Sequence, residues 1–124
     1  MTEPGALRRR ILVVEDEYVI AMDLALELEE LGFEVVGPAG SVSEALALVD
    51  RGDRLDGAIL DVNLRNERVY PVADALAARG VRFVFASGYD ARLMPDAYAD
   101  VPRCGKPIDR AVIVRFLGRE APAG

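Results

Sequence analysis

Ile11-Leu12-Val13-Val14-Glu15-Asp16-Glu17 sets four apolar, mostly β-branched residues directly against three acids. A short apolar run without alternation is the pattern of a strand buried on both faces, as in a parallel sheet. Its abrupt acidic end places charge where such a strand stops. Downstream, Ile20, Leu24, Leu28 and Leu31 recur at helical spacing from about Glu17 to Leu31, and Gly32 follows as a left-handed cap. Phe33 to Val36 then reads as a second strand, closed by Gly37, Pro38 and Gly40.

The same unit repeats along the chain. Ser41 and Glu44 form a capping box at the head of a helix carrying Val42, Ala45, Leu46 and Val49, with Gly52 beyond it. Ala58-Ile59-Leu60 predicts a third strand ending at Asp61. Val69, Val72, Ala73 and Leu76 predict a third helix, with Pro71 in its first turn and Gly80 at its end. Arg82 to Ala86 predicts a fourth strand running into Ser87-Gly88-Tyr89-Asp90, and Pro95 interrupts the short helix expected after it. A weak strand falls near Val101 to Cys104, and Asp109 caps a last helix with Val112, Ile113, Phe116 and Leu117 on one face. Parallel strands need right-handed crossovers. The expected fold is therefore α/β and flavodoxin-like: a doubly wound, five-stranded parallel sheet of order 2-1-3-4-5 with helices on both faces.

Composition bounds the function. The 124 residues, 52% hydrophobic and 29% charged, suit one domain over 1–124 with its core at about 10–119 and no output domain. Net charge is −6 and the arginines are scattered apart from Arg8, Arg9 and Arg10, which read as a solvated lead-in, so nucleic acid is not an expected partner. No apolar span of about 20 residues is present. A cytoplasmic protein that does not engage membrane is expected. The single cysteine, Cys104, cannot form an internal bridge and reads as a small buried hydrophobe. There is no histidine, which removes His-based zinc sites, Ser-His-Asp catalysis and a phosphohistidine of the chain's own. Lys106 is the only lysine among fifteen basic residues, and a compact point charge there calls for its own explanation.

In open α/β sheets the ligand site lies beyond the carboxyl ends of the strands. The residues collected there are Glu15 and Asp16, Asp61, Ser87 and Lys106. Three converging carboxylates repel one another unless a hard divalent cation and an ammonium offset them, and Mg²⁺ with Lys106 would do both. Asp16 and Asp61 would be direct ligands, Glu15 would act through water, and the Asn63 carbonyl would add an oxygen. An Asp61 carboxylate so held is a credible nucleophile toward a phosphoryl group. Mg²⁺, Lys106 and the Ser87 hydroxyl would then stabilise the transferring oxygens.

These motifs resemble the receiver family of response regulators (CheY-like), from about Ile11 to Leu117. The likeness rests on Val14-Glu15-Asp16, Ile59-Leu60-Asp61, Ser87 and Lys106-Pro107, in order and at strand ends. It implies a role in two-component or phosphorelay signalling, with Asp61 the phosphoacceptor, Glu15 and Asp16 the acidic pair, Ser87 the switch hydroxyl, Lys106 the phosphate contact, and a cis Lys106-Pro107 bond. Phe83-Val84-Phe85-Ala86-Ser87-Gly88-Tyr89 resembles the FAT-GUY subgroup of single-domain receivers, as do Asp61-Val62-Asn63-Leu64 and Val69-Tyr70-Pro71-Val72. Receivers carry an aromatic switch residue three positions before the lysine; Arg103 stands there, and Tyr89 is the candidate to share that role. Implied partners are a sensor histidine kinase or histidine phosphotransfer protein and a downstream protein that reads the face of the fourth helix, fifth strand and fifth helix. Enzymatic activity beyond self-phosphorylation and autodephosphorylation is not expected, and the sequence leaves the oligomeric state open.

Two other functions remain. A phosphatase or transferase using Asp61 as transient nucleophile would want a second acid two residues on, where Asn63 stands. A scaffold or nucleotide-binding domain of the same fold would want a Gly-rich loop after strand one, where Glu15-Asp16-Glu17 would repel phosphate without metal.

Overall fold

The computed structural model describes residues 8–86, 95–105 and 108–117, Asp96 through its backbone alone. Five strands form one parallel sheet: β1 (Arg10–Val14), β2 (Glu34–Ala39), β3 (Gly57–Asp61), β6 (Phe83–Ala86) and β7 (Arg103–Cys104), in the order β2-β1-β3-β6-β7. Two short strands, β4 (Asn63–Leu64) and β5 (Glu67–Arg68), make a separate antiparallel hairpin directly after β3. With the hairpin set aside, the spatial order is the expected 2-1-3-4-5.

Side chains alternate across a strand, and this alternation divides the core in two. Leu12, Val14, Ala58, Leu60 and Phe85 turn to one face and are covered by α2 (Val42–Asp50) and α3 (Tyr70–Ala78) through Ala45, Val49, Val72, Ala73 and Leu76. Ile11, Val13, Ile59, Val84 and Ala86 turn to the other, beneath α1 (Tyr18–Glu30) and α4 (Arg110–Leu117) through Leu24, Leu28, Ile113 and Leu117. Each fully buried aliphatic side chain contributes roughly 1.5–3 kcal/mol of transfer free energy. β1 and β3 are therefore the stiff centre of the molecule.

Local signals explain the starts of α2, α3 and α4. The Ser41 hydroxyl accepts from Glu44 N–H, and Glu44 reaches back to Gly40 N–H at 2.7 Å, one residue before the partner a capping box uses. Pro71 lies in the first turn of α3, and Asp109 accepts from Ala111 N–H at 2.7 Å at the head of α4.

Two differences from expectation have physical causes. β2 does not close at Val36 but runs through Gly37 and a cis Gly37-Pro38 bond to Ala39. It is an edge strand, where the N–H that proline lacks is not needed by a second neighbour. The hairpin was not expected because Asn63-Leu64-Arg65-Asn66-Glu67-Arg68 lacks the glycine that marks a two-residue turn, and Arg65 itself takes a positive φ of 47°. Between β6 and β7 the described backbone is a 3-10 turn, Asp96–Tyr98. Tyr98 stacks on Tyr70 at 5.4 Å between centroids, meets Phe85 edge-on, and donates its hydroxyl to Asp74. Among the described residues, no helix is long and apolar enough to cross a membrane.

Candidate functional site

The chain leaves β1 toward β2 on one side and, after α2, crosses back to β3 on the other, so the order reverses between β1 and β3. The carboxyl ends of these two strands flank the crevice where ligands bind in such sheets. β1 delivers Glu15 and Asp16 there, and β3 delivers Asp61. One carboxylate oxygen from each of the three lies within 4.8 Å of the others. Glu15 and Asp61 are 5% and 4% exposed, whereas Asp16 is half-buried. Burying like charges this closely is costly without a cation among them.

The backbone fixes two of the acids. Glu15 N–H donates to Ala39 O at 2.9 Å, holding the end of β1 to the edge strand, and the Glu15 carboxylate accepts from Glu17 N–H at 3.0 Å. Asp61 accepts from Asn63 N–H at 3.1 Å through Oδ1, so the first residue of the hairpin orients the acid before it. Asn63 offers its side-chain oxygen to the Arg68 guanidinium across the hairpin, at 2.5 Å. Beside Asp61 and Glu15 a cavity of about 270 Å³ opens beneath α1, walled by Val14, Ile20, Leu24, Ile59, Ala86 and Ile108.

An oxygen-only set of three clustered carboxylates suits a hard cation such as Mg²⁺ or Ca²⁺, and contains none of the nitrogen or sulfur ligands that zinc or copper prefer. Of the residues expected from sequence, Glu15, Asp16 and Asp61 come together, and Asn63 follows in contact with Asp61. Arg103 lies exposed on β7, paired with Phe85. Ser87, Tyr89, Lys106 and Pro107, with the expected cis bond, lie outside the described residues. Cys104 is half-buried; its thiol donates to Phe85 O at 3.4 Å, and burial pushes its pKa up, which suits a packing residue.

Sequence reasoning missed Arg65. From the tip of the hairpin its Nε stands 3.6 Å from Asp16 Oδ2, placing a cation at the rim of the acidic cluster. A positive φ at arginine leaves no mark in a sequence, and only the hairpin geometry reveals the contact.

No family model matches the chain. SdrG from Sphingomonas melonis is 43% identical, with a TM-score of 0.76 over 90% of this chain and 94% of that one. A solution structure of the BeF3-activated conformation of SdrG is similar too, at 44% identity and a TM-score of 0.71 over 86% and 90% of the two chains. A response regulator protein from Burkholderia pseudomallei, solved with a phosphorylated aspartic acid, a calcium ion and citrate, is 25% identical, with a TM-score of 0.73 over 88% of this chain and 66% of that one. The transcriptional regulatory protein PdtaR from Mycobacterium tuberculosis is 38% identical over 77 residues, which are 62% of this chain and 37% of PdtaR. The chain spans about a third of the length of the curated relatives it matches. With its sheet order, its strand-end acids and these likenesses, the chain belongs to the response regulator receiver family.

Proposed function

We propose that this receiver domain takes a phosphoryl group from a partner's phosphohistidine onto Asp61, with Mg²⁺ at Glu15, Asp16 and Asp61, and that the phosphorylated form is read by a downstream protein. The observation that carries this is the buried Asp61 carboxylate at the end of β3 with two further carboxylates, from the end of β1, within 4.8 Å. A structure of the Burkholderia pseudomallei regulator that contains a phosphorylated aspartic acid and a calcium ion gives the chemistry a precedent.

An Asp61 oxygen would attack phosphorus as the phosphorus–nitrogen bond of the donor breaks, and the departing imidazole would keep or regain its proton. Asn63 N–H holds the other carboxylate oxygen and so fixes the direction of attack. Glu15, Asp16, Asp61 and the Asn63 carbonyl would hold the cation, which when bound neutralises charge developing on the transferring oxygens. Lys106 and Ser87 would contact those oxygens, as the family resemblance implies. The added charge and acceptors would then shift the switch through Ser87 and Tyr89, since Arg103 supplies no aromatic ring.

The test is incubation of the whole chain with Mg²⁺ and a small phosphodonor, followed by a profile against histidine kinases and phosphotransfer proteins. A base-labile mass increase of one phosphoryl group, lost in Asp61→Asn and on chelation, is expected. An equal adduct in Asp61→Asn would sink the proposal, as would no adduct in the wild type with any donor.

A further inference from the structure

We propose that Arg65 is an exchangeable counter-cation of the acidic site: its guanidinium pairs with Asp16, and a divalent cation that takes Asp16 as a ligand displaces it. The inference rests on the metal role proposed above for Glu15, Asp16 and Asp61, and adds to it a residue that sets how tightly the metal is held.

The hairpin is built to present this side chain. Leu64 is 1% exposed and roots the first strand in the core, Arg68 clamps Asn63 from the second, and the Glu67 carboxylate accepts from Val42 N–H at 3.3 Å, tying the hairpin to the head of α2. With both strands anchored, the turn is fixed. Arg65 is the first of its two residues, at a φ of 47°, a conformation that side chains other than those of glycine, asparagine and aspartate adopt at a cost. The next residue is Asn66, a type that tolerates this backbone better, yet the positive φ falls on the arginine. Uncommon backbone of this kind persists where surrounding structure enforces it, often at functional sites. Here it directs a guanidinium to within 3.6 Å of Asp16.

The contact is also of a kind that releases easily. At 3.6 Å it is an ion pair without the distance of a hydrogen bond, and the Arg65 side chain is 80% exposed against 14% for Asp16. Guanidinium and metal would draw on the same Asp16 oxygens, so the cation entering must displace the cation already there. A pair this exposed is weak and screened by salt, so its removal should tighten apparent Mg²⁺ binding by about two- to fivefold.

The experiment is calorimetric titration of the metal-stripped whole chain with MgCl₂, comparing the wild type with Arg65→Gln, Arg65→Gly and Arg65→Lys. Arg51→Gln serves as a control of equal charge, because Arg51 pairs with Asp53 beyond the far end of α2. Arg65→Gln and Arg65→Gly should both bind about two- to fivefold tighter, Arg65→Lys close to the wild type, and Arg51→Gln unchanged, with the gap narrowing as salt rises. In parallel, the Arg65 Nε–Hε resonance of the wild type should move with the same binding constant. Equal or weaker binding by Arg65→Gln while the wild type binds Mg²⁺ overturns the inference alone, and equal tightening by Arg51→Gln overturns it as a general charge effect. Absence of Mg²⁺ binding by the wild type overturns the metal role itself, and this inference with it.

Discussion

In the protein without metal, Asp61→Asn removes one of three clustered negative charges while keeping the side chain's shape and an oxygen that can still accept from Asn63 N–H. At the 4.8 Å that bounds the cluster, two unit charges repel by about 3.5 kcal/mol at an effective dielectric constant of about 20. Asp61 has two such neighbours. Solvent reaches Asp16, and Glu15 and Asp61 have other partners, so only part of this repulsion is recovered. We expect the substitution to raise the free energy of unfolding in EDTA at low salt by roughly 1–2 kcal/mol, and Tm by several degrees for a chain of this size. Mg²⁺ should reverse the order. Binding at a hundred times Kd would stabilise the folded wild type by about 2.7 kcal/mol, whereas Asp61→Asn lacks one of the proposed ligands and should gain much less. Urea unfolding of both proteins, with and without MgCl₂, gives the four values needed. Lower stability of Asp61→Asn in EDTA, or an equal gain from Mg²⁺ in both proteins, would refute the electrostatic account of the cluster.

Four further outcomes follow from capping, packing and burial. Ser41→Ala should lower stability by about 1 kcal/mol in urea unfolding, because Glu44 N–H loses the hydroxyl that caps α2. Gly57→Ala should lower it by roughly 1–3 kcal/mol, since a Cβ there would stand 2.9 Å from Leu117 Cδ2 and 3.2 Å from Ile11 Cδ1; a Tm equal to that of the wild type would show that Leu117 can yield. Cys104, its pKa raised by burial, should react with iodoacetamide at pH 8 more slowly than free cysteine, and reach the free rate once the chain is unfolded in urea. The folded chain keeps this thiol proton to higher pH than the unfolded chain does. The contribution to stability is therefore intact below the ordinary thiol range and falls as pH rises through and above it, a slope that Cys104→Ser should lack.

Most of the sheet and the acidic half of the site were legible in the sequence for the same reason. Runs such as Ile11–Val14 and Ala58–Leu60 suit strands buried on both faces, and the repeated strand-helix alternation makes that sheet parallel, so the acids that end the runs stand at its carboxyl edge. What escaped was geometry that carries no residue signature. Proline at 38 predicts a stop, and only the edge position of β2 explains why the strand continues to Ala39. The hairpin after Asp61 lacks a turn glycine, and with it went Arg65, one arginine among scattered arginines until the backbone brings it to Asp16. Tyr98 was unremarked because neither helical nor strand periodicity marks a 3-10 turn, although its ring packs among Tyr70, Phe83 and Phe85.

The pairing of β6 with β7 has a consequence for how such a domain moves. β1 and β3 are joined along four residue pairs, while among the described residues β7 meets β6 at two, Phe85 with Arg103 and Ala86 with Cys104. Local opening costs least where few backbone bonds and little buried apolar surface must be given up. The amides of β7 should therefore exchange with solvent through fluctuations far smaller than global unfolding, while those of β1 and β3 exchange only when the whole domain opens. A firmly held centre carrying the acids and a lightly fastened margin across the same sheet would let the phosphoryl group proposed for Asp61 reshape one edge without loosening the centre.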